Sequence, residues 1–450
     1  MDFRRYKLSK TIYSGLSKED KAVLKILEGA VKDISKVYEL QFQEGFYPRG
    51  VTKEQLEKAA QNNPEILSPF ANVEQRDGKL EAVPYHVRFA KYLKPIAKKI
   101  EKASGICTNK SFKAYLKTRA KSLITGNYEE AYKLWLQVKN SKIDFTIVPH
   151  EQHLDKLFFI KRVFQAHIGI VNKTETKLAE QYKETLYSSA KMSFSKYHST
   201  DIAKKGVRVQ VQDIPIISGF PAAMLYSGQH FPYDLDKALK YGSKTIIYNS
   251  QLALKFEKLY YPIFKTIFEK RFASKYSKQL LLEASGLCIL LYELGKQLHK
   301  FAGARDRLQE FYSPIDIANG FVSGIEHSKH LVVKGMLSQE QLEAIMITHV
   351  LCMLADWLVF KSNKARQNHM TGYSILLNSY LSHRALSVNS GVSWPNFSRI
   401  FFEIETMSYK LVYLLQKGSY QEAEEFINKN VSFNSFERLS RGLSKINTQI

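Results

Sequence analysis

Tyr292, Glu293 and Lys296 stand within one turn of a strongly apolar helix predicted over residues 277–300, whose end reads LLYELGKQLHK. A carboxylate beside an ammonium and a phenol suits proton transfer, and a desolvated lysine also forms imines with carbonyl compounds. At i and i+3, Glu293 and Lys296 share a helix face, so the plain expectation is an ion pair that keeps a part-buried carboxylate satisfied. Further on, Glu326, His327 and His330 spell E-H-x-x-H, and His349 follows on the next predicted helix. Histidines at i and i+3 can share a metal, and His330 would have to converge with His349 to complete a site. Such clusters are common on surface helices, so no specific metal is expected there. His299 lies two turns from Tyr292 on nearly the same face. Ser218, Ser227 and Ser250 lack a nucleophile-elbow context, while Cys288 and Cys352 sit among apolar neighbours as core residues.

The elements that must position these residues are mostly helices. Thr52 with Gln55 predicts a capping box opening a helix to Ala60, stopped by Asn62-Asn63-Pro64. Helical spacing of apolar residues continues over 84–102, 111–139 and 151–170, and a long helix is predicted from Glu175 to about Ser195. At Gly206 the texture changes. Val207, Val209 and Val211 alternate with Arg208, Gln210 and Gln212, which predicts a half-buried strand; residues 244–249 predict a second. The Gly-, Pro- and Ser-rich stretch 215–232 between them reads as loops. Helices return from Tyr261, and Ser338 with Gln341 caps one reaching about Phe360. The expected architecture is mostly α with a small central β element. Residues 1–262 form an N-terminal lobe, with the β element around 206–250, and 263–450 an all-helical lobe.

The 450 residues exceed one average core, and 44% hydrophobic content is ordinary for a folded protein. Three cysteines, Cys107, Cys288 and Cys352, are widely spaced and odd in number, so no disulfide framework is expected and a reducing compartment is favoured. MDFRRYKLSK lacks a following apolar core, and the densest apolar stretch, 287–292, is too short for a bilayer. The expectation is a cytoplasmic protein without membrane attachment, with delivery by a signal-less route left open. The net charge of +23 comes with lysines in nearly every segment and a mild concentration over 91–117. A solvated lysine-rich surface is the plain reading, an acidic protein partner fits it, and nucleic acid is the less expected partner.

Several blocks, in order, resemble the dipeptidyl peptidase III family, especially its shorter bacterial and plant relatives. GFYPRGVTKEQLEKA (Gly45 to Ala59) and GKLEAVPYHVRFAKYLKPIAKKI (Gly78 to Ile100) carry the first two, and IDFTIVPHEQHLDKLFFIKRVFQAHIGI (Ile143 to Ile170) is the fullest, with Pro149, Glu151, Asp155, Lys161 and Phe164 in step. HFPYD (His230 to Asp234) follows more loosely. The resemblance implies a two-lobed fold with an inter-lobe cleft, and a zinc site built from an H-E-x-x-(G)-H helix and a later EE..A motif. Aligned on the glutamate, Tyr292 takes the first histidine position, Glu293 keeps the general base, and Lys296 (short form) or Gln297 (long form) replaces the second histidine. In YSPIDIANG, Asp316 takes the first acidic position and Ile317 the ligand position. His369, in ARQNHMTGYSILLNSYL, matches the downstream substrate-facing histidine. Glu151, His150, Asp316 and Asn378 form the implied substrate-binding set, and His153 also flanks Glu151. The resemblance thus implies a metallopeptidase-like protein without its zinc ligands and without a cofactor, a non-peptidase that binds a peptide or small molecule in the cleft. The alternative is a metal-independent enzyme reusing Tyr292, Glu293, Lys296 and His369 for acid/base chemistry; a residual metallohydrolase ranks third.

Overall fold

A computed structural model describes residues 3–152, 154–193, 206–232, 235–389 and 392–448. The chain forms two compact units, Met1–Asn172 with Gln212–Tyr226, and Lys173–Val211 with Ser227–Ile450.

In the first unit, helix α1 (Lys18–Glu44) opens on a Ser17/Asp20 capping box and buries an i, i+3/i+4 stripe from Val23 to Gln41. Helix α2 (Lys53–Asn62) starts on the expected Thr52/Gln55 box and ends before Pro64. Helix α3 (Ala90–Ile106) packs against α1 and against α4 (Lys110–Thr125). The helix expected over 111–139 is interrupted at Gly126, whose left-handed φ of 75° ends α4; α5 (Glu129–Gln137) follows. Strands β2 (Ala71–Arg76) and β3 (Lys79–Pro84) form a separate hairpin. Strands β4 (Ile143–Glu151) and β5 (Val163–Val171) pair antiparallel. On its other side β5 pairs with residues Gln212–Gly219 of β6 (Val207–Gly219), which in turn takes β1 (Phe3–Arg5).

Two expectations are corrected here. Residues 151–170 are not a helix: β4 ends at Glu151, a loop follows, and β5 begins at Val163. Both faces of β4 and β5 are buried, so polar–apolar alternation is suppressed and the strands imitate a helical pattern. The stretch 215–232 is not all loop either. Strand β6 runs to Gly219, a short helix covers Phe220–Ala223, and β7 (Gly228–Phe231) pairs with β8 (Ser243–Tyr248).

The second unit is built on long helices. Helix α6 (Lys173–Ser193) receives the start of β6, where Thr176 Oγ1 accepts from the Val211 amide at 3.0 Å and Lys183 donates to the Val207 carbonyl at 2.7 Å. Helix α7 (Lys278–Leu298) and helix α8 (Tyr312–Val333) pack tightly together. Helix α9 (Gln339–Phe360) opens on the expected Ser338/Gln341 capping box. By length and composition it could cross a membrane, but 83% of its apolar window is buried in the protein core. Helices α10 (Gln367–Ser382) and α11 (Phe397–Lys417) complete the core around α8. All three cysteines are free and buried.

Candidate functional site

The α7–α8 crossing is set by glycine. A Cβ at Gly324 would lie 2.5 Å from the Leu291 carbonyl carbon, and one at Gly295 would lie 2.7 Å from the Gly324 nitrogen. Only hydrogen at these positions lets the two backbones approach so closely. A Cβ at Gly320 would meet the Tyr292 ring at 3.0 Å and collide with the Lys296 stem, so both side chains lie directly over the α8 backbone.

This approach brings Tyr292, Lys296 and Asp316 together. The Lys296 ammonium is 3.9 Å from Asp316 Oδ2 and 5.4 Å from the Tyr292 ring centroid. Lys300, just past the end of α7, reaches the same carboxylate oxygen at 3.5 Å. Two ammoniums therefore share Asp316, and all three side chains are largely buried. Tyr292 stacks on Phe321 at 4.1 Å between centroids, with 24° between the ring planes. Burial pushes its phenol well up, against a downward pull from Lys296. Glu293 is buried on the neighbouring face, where its Cγ would lie 3.3 Å from a Cβ at Gly228 of β7.

A chain of rings links this cluster to His369. Phe321 meets Tyr373 edge-on at 5.6 Å, and Tyr373 meets His369 at 6.1 Å. The Tyr373 hydroxyl donates to Asp356 at 3.1 Å; Lys255 donates to the same carboxylate at 3.0 Å, and Arg366 forms a close ion pair with it. The two cations hold the Asp356 carboxyl below its usual range despite complete burial. Lys255, Asp356, Arg366 and Phe321 escaped the sequence reading. Lys300, four residues after Lys296, was the one member with a local signal.

The remaining residues of the expected set stand on other elements. Asn378 on α10 donates to the Asn430 carbonyl at 2.9 Å and to Ser374 at 3.3 Å, and it accepts from Ser435, which ties α10 to the chain near its end. In the first unit, His150 and Glu151 are buried at the end of β4, where the register with β5 shifts between Pro149 and Glu151. His153 falls outside the described residues, as do Tyr233 and Asp234 of the HFPYD block. The loop after Glu151 is organised by Asp155. It accepts from the amides of Leu157, Phe158, Ile160 and Lys161 and from the Tyr47 hydroxyl, all at 3.0–3.2 Å. Lys161 caps the carbonyls of Ile66 and Ser68 at 2.7 and 2.8 Å, and burial draws its pKa down to about 8.

The donors present do not fit zinc. At the α7–α8 crossing stand a high-pKa phenol stacked flat on Phe321, the Asp316 carboxylate shared by two ammoniums, the Glu293 carboxylate on the neighbouring face, and Ile317, which has no donor atom. A tetrahedral zinc needs three or four imidazole, thiolate or carboxylate ligands. The histidines around α8 are engaged otherwise. His349 meets the Tyr380 hydroxyl at 3.1 Å, and burial lowers its pKa to about 3. His327 meets Ser189 at 3.3 Å, and its ring is 6.5 Å from that of His330. Among the described residues no group of three or more His, Cys, Asp or Glu could hold a metal ion.

No family model matches the chain. It is 23% identical over 404 residues to Nudix hydrolase 3 of Arabidopsis thaliana, a match covering 86% of this chain and spanning half the length of that relative. Among solved structures, dipeptidyl peptidase III from Caldithrix abyssi superposes with a TM-score of 0.84 at 19% identity, over 99% of this chain and 96% of the other. The dipeptidyl peptidase III of Corallococcus sp. strain EGB gives 0.83 at 21% identity, over 99% and 94%. Full-length superposition at this level establishes the architecture that the sequence blocks implied: the chain has the two-lobed dipeptidyl peptidase III fold.

Proposed function

We propose that this chain keeps the dipeptidyl peptidase III scaffold without zinc chemistry and binds a peptide or small molecule rather than cleaving it. One observation carries the reading: Lys296 and Lys300 converge on Asp316 at the α7–α8 crossing, in the two segments that resemble the family's zinc motifs. Fixed ammoniums repel a dication and can donate to the carboxylate or carbonyl groups of a ligand, while Asp316 can accept from a ligand N–H. An acidic peptide is the ligand class most compatible with the basic chain. The name of the Arabidopsis relative describes a protein twice the length of the matched stretch, and its activity is not carried over.

The test is purification in zinc followed by metal quantification, release of dipeptides from a fluorogenic dipeptidyl arylamide, and calorimetry with acidic and basic peptides. Support would be substoichiometric zinc, no release, and saturable binding of the acidic peptide that weakens in Lys296→Met. One zinc per chain together with peptide cleavage would overturn the proposal.

A second reading, metal-free acid/base or imine chemistry, is favoured by the burial of Tyr292 and Glu293 beside Lys296. It predicts that borohydride traps a small aldehyde or ketone on Lys296, detected by peptide mass mapping. Absence of an adduct across a panel of carbonyl compounds counts against it.

A further inference from the structure

We infer that the paired helices α3 and α4 form a surface for the phosphate backbone of duplex nucleic acid. On α3, Lys91, Lys94, Lys98 and Lys102 are all exposed and follow a 3-4-4 spacing. This places them in one line, opposite the buried stripe of Leu93, Ile96, Ile100 and Ala103. Helix α4 repeats the same spacing with exposed Lys110, Lys113, Lys117 and Lys121, again opposite its buried face. The two helices pack against each other.

What marks these stripes is their density: eight exposed lysines lie on two packed helices with almost no acid between them. Glu101 is the one acidic residue on the two helices, and among the described residues none of the eight ammoniums is in salt-bridge reach of a carboxylate. Some exposed lysines elsewhere do meet a carboxylate, as in Lys36–Glu39 and Lys278–Glu257. Even Lys99, on the flank of α3, reaches Asp33. Like charges at i, i+3 and i, i+4 destabilise a helix, so two uncompensated lines of four run against local stability.

Each line spans 12 residues, whose ends stand roughly 16 Å apart along the helix. Over that length one strand of a duplex presents about five phosphates. Arginine is absent from both exposed lines and Arg119 is buried, which removes the bidentate fork suited to carboxylates and base edges. The apolar faces of both helices are committed to the core apart from Ile124 near the end of α4, too little for a wedge that enters lipid. Point charges on flexible stems match sequence-independent phosphate contact.

The test is fluorescence anisotropy of the full chain with a mixed-sequence 20-base-pair duplex at 50 to 200 mM salt. Binding is expected with a log K against log salt slope near −0.9 for each phosphate engaged. The combined variant Lys94→Glu, Lys98→Glu, Lys113→Glu, Lys117→Glu is expected to bind at least tenfold more weakly, with the slope shallower by about two or more. A control with the same charge change on exposed lysines elsewhere, Lys265→Glu, Lys275→Glu, Lys334→Glu, Lys361→Glu, is expected to retain binding. Should the first variant lose its circular dichroism spectrum, the corresponding glutamine variant takes its place. Equal weakening in the control, salt-insensitive binding, or binding to phosphatidylserine vesicles but not to the duplex would each overturn the assignment.

Discussion

Gly324→Ala tests the α7–α8 crossing on which the candidate site depends. In an open helix the change would stabilise by about 1 kcal/mol, the difference in helix propensity. Here the new methyl would sit 2.5 Å from the Leu291 carbonyl carbon, roughly 1 Å inside an ordinary carbon–carbon contact. The obstructing atoms are backbone, so no rotamer change relieves the clash and the helices must part. Overpacking of this kind costs about 1–3 kcal/mol and more where the backbone has to shift. Taking the upper end because the backbone must move, the expected net loss is about 2 kcal/mol or more. Gly286→Ala, on the same α7, provides the contrast: its Cβ would meet Leu252 Cδ2 at 3.5 Å, an ordinary contact, so the propensity gain of up to about 1 kcal/mol should survive. Urea unfolding of the two variants, followed by far-ultraviolet circular dichroism, should move the midpoint in opposite directions. A Gly324→Ala protein as stable as its parent would refute the close-approach argument.

Glu326 is buried, and loss of water raises its carboxyl to about 7 against the opposing pull of Lys329 and a hydrogen bond from Ser408, with Glu405 adding to the rise. Because the folded pKa exceeds the unfolded one, its contribution is fully present below about pH 4.5 and is lost as pH rises toward 7. Glu326→Gln should therefore gain on the parent by up to roughly 3 kcal/mol between pH 5 and pH 8 in urea midpoints; an unchanged difference would count against the burial argument. Asp356→Ala strands Lys255 and Arg366 in the core and should cost about 3–5 kcal/mol. Lys255→Met leaves the Asp356–Arg366 pair intact and should cost clearly less in the same unfolding measurement. If instead the two variants lose equally, the shared-carboxylate reading fails.

Local chemistry explains what was legible beforehand. The capping boxes at Thr52/Gln55 and Ser338/Gln341 and the Val207–Val211 alternation are nearest-neighbour signals, and each placed an element. The loop after β4 was invisible because its shape comes from one carboxylate, Asp155, gathering amides up to six residues ahead. Leu154, Leu157 and Phe158 in that loop, followed by Val163 and Phe164 in β5, happened to keep helical spacing. At the site, Tyr292, Lys296 and Asp316 were named from the resemblance and do meet. A pairing of Lys296 with Glu293 needed only helical spacing, whereas its approach to Asp316 depends on a second helix that comes close only because of Gly295, Gly320 and Gly324. The Lys255–Asp356–Arg366 cluster joins three segments up to 111 residues apart in sequence, beyond any periodicity argument.

Strand β6 has a further consequence for how the protein is made. Its first residues belong to one compact unit and its last to the other, so neither unit is contiguous and no single truncation releases either intact. During synthesis β4 and β5 must wait about forty residues, through all of α6, before Gln212–Gly219 leaves the ribosome to pair with β5. Until then the edge of β5 is open to other strands, so stalled or truncated products ending between α6 and β6 should be the most aggregation-prone forms of this chain.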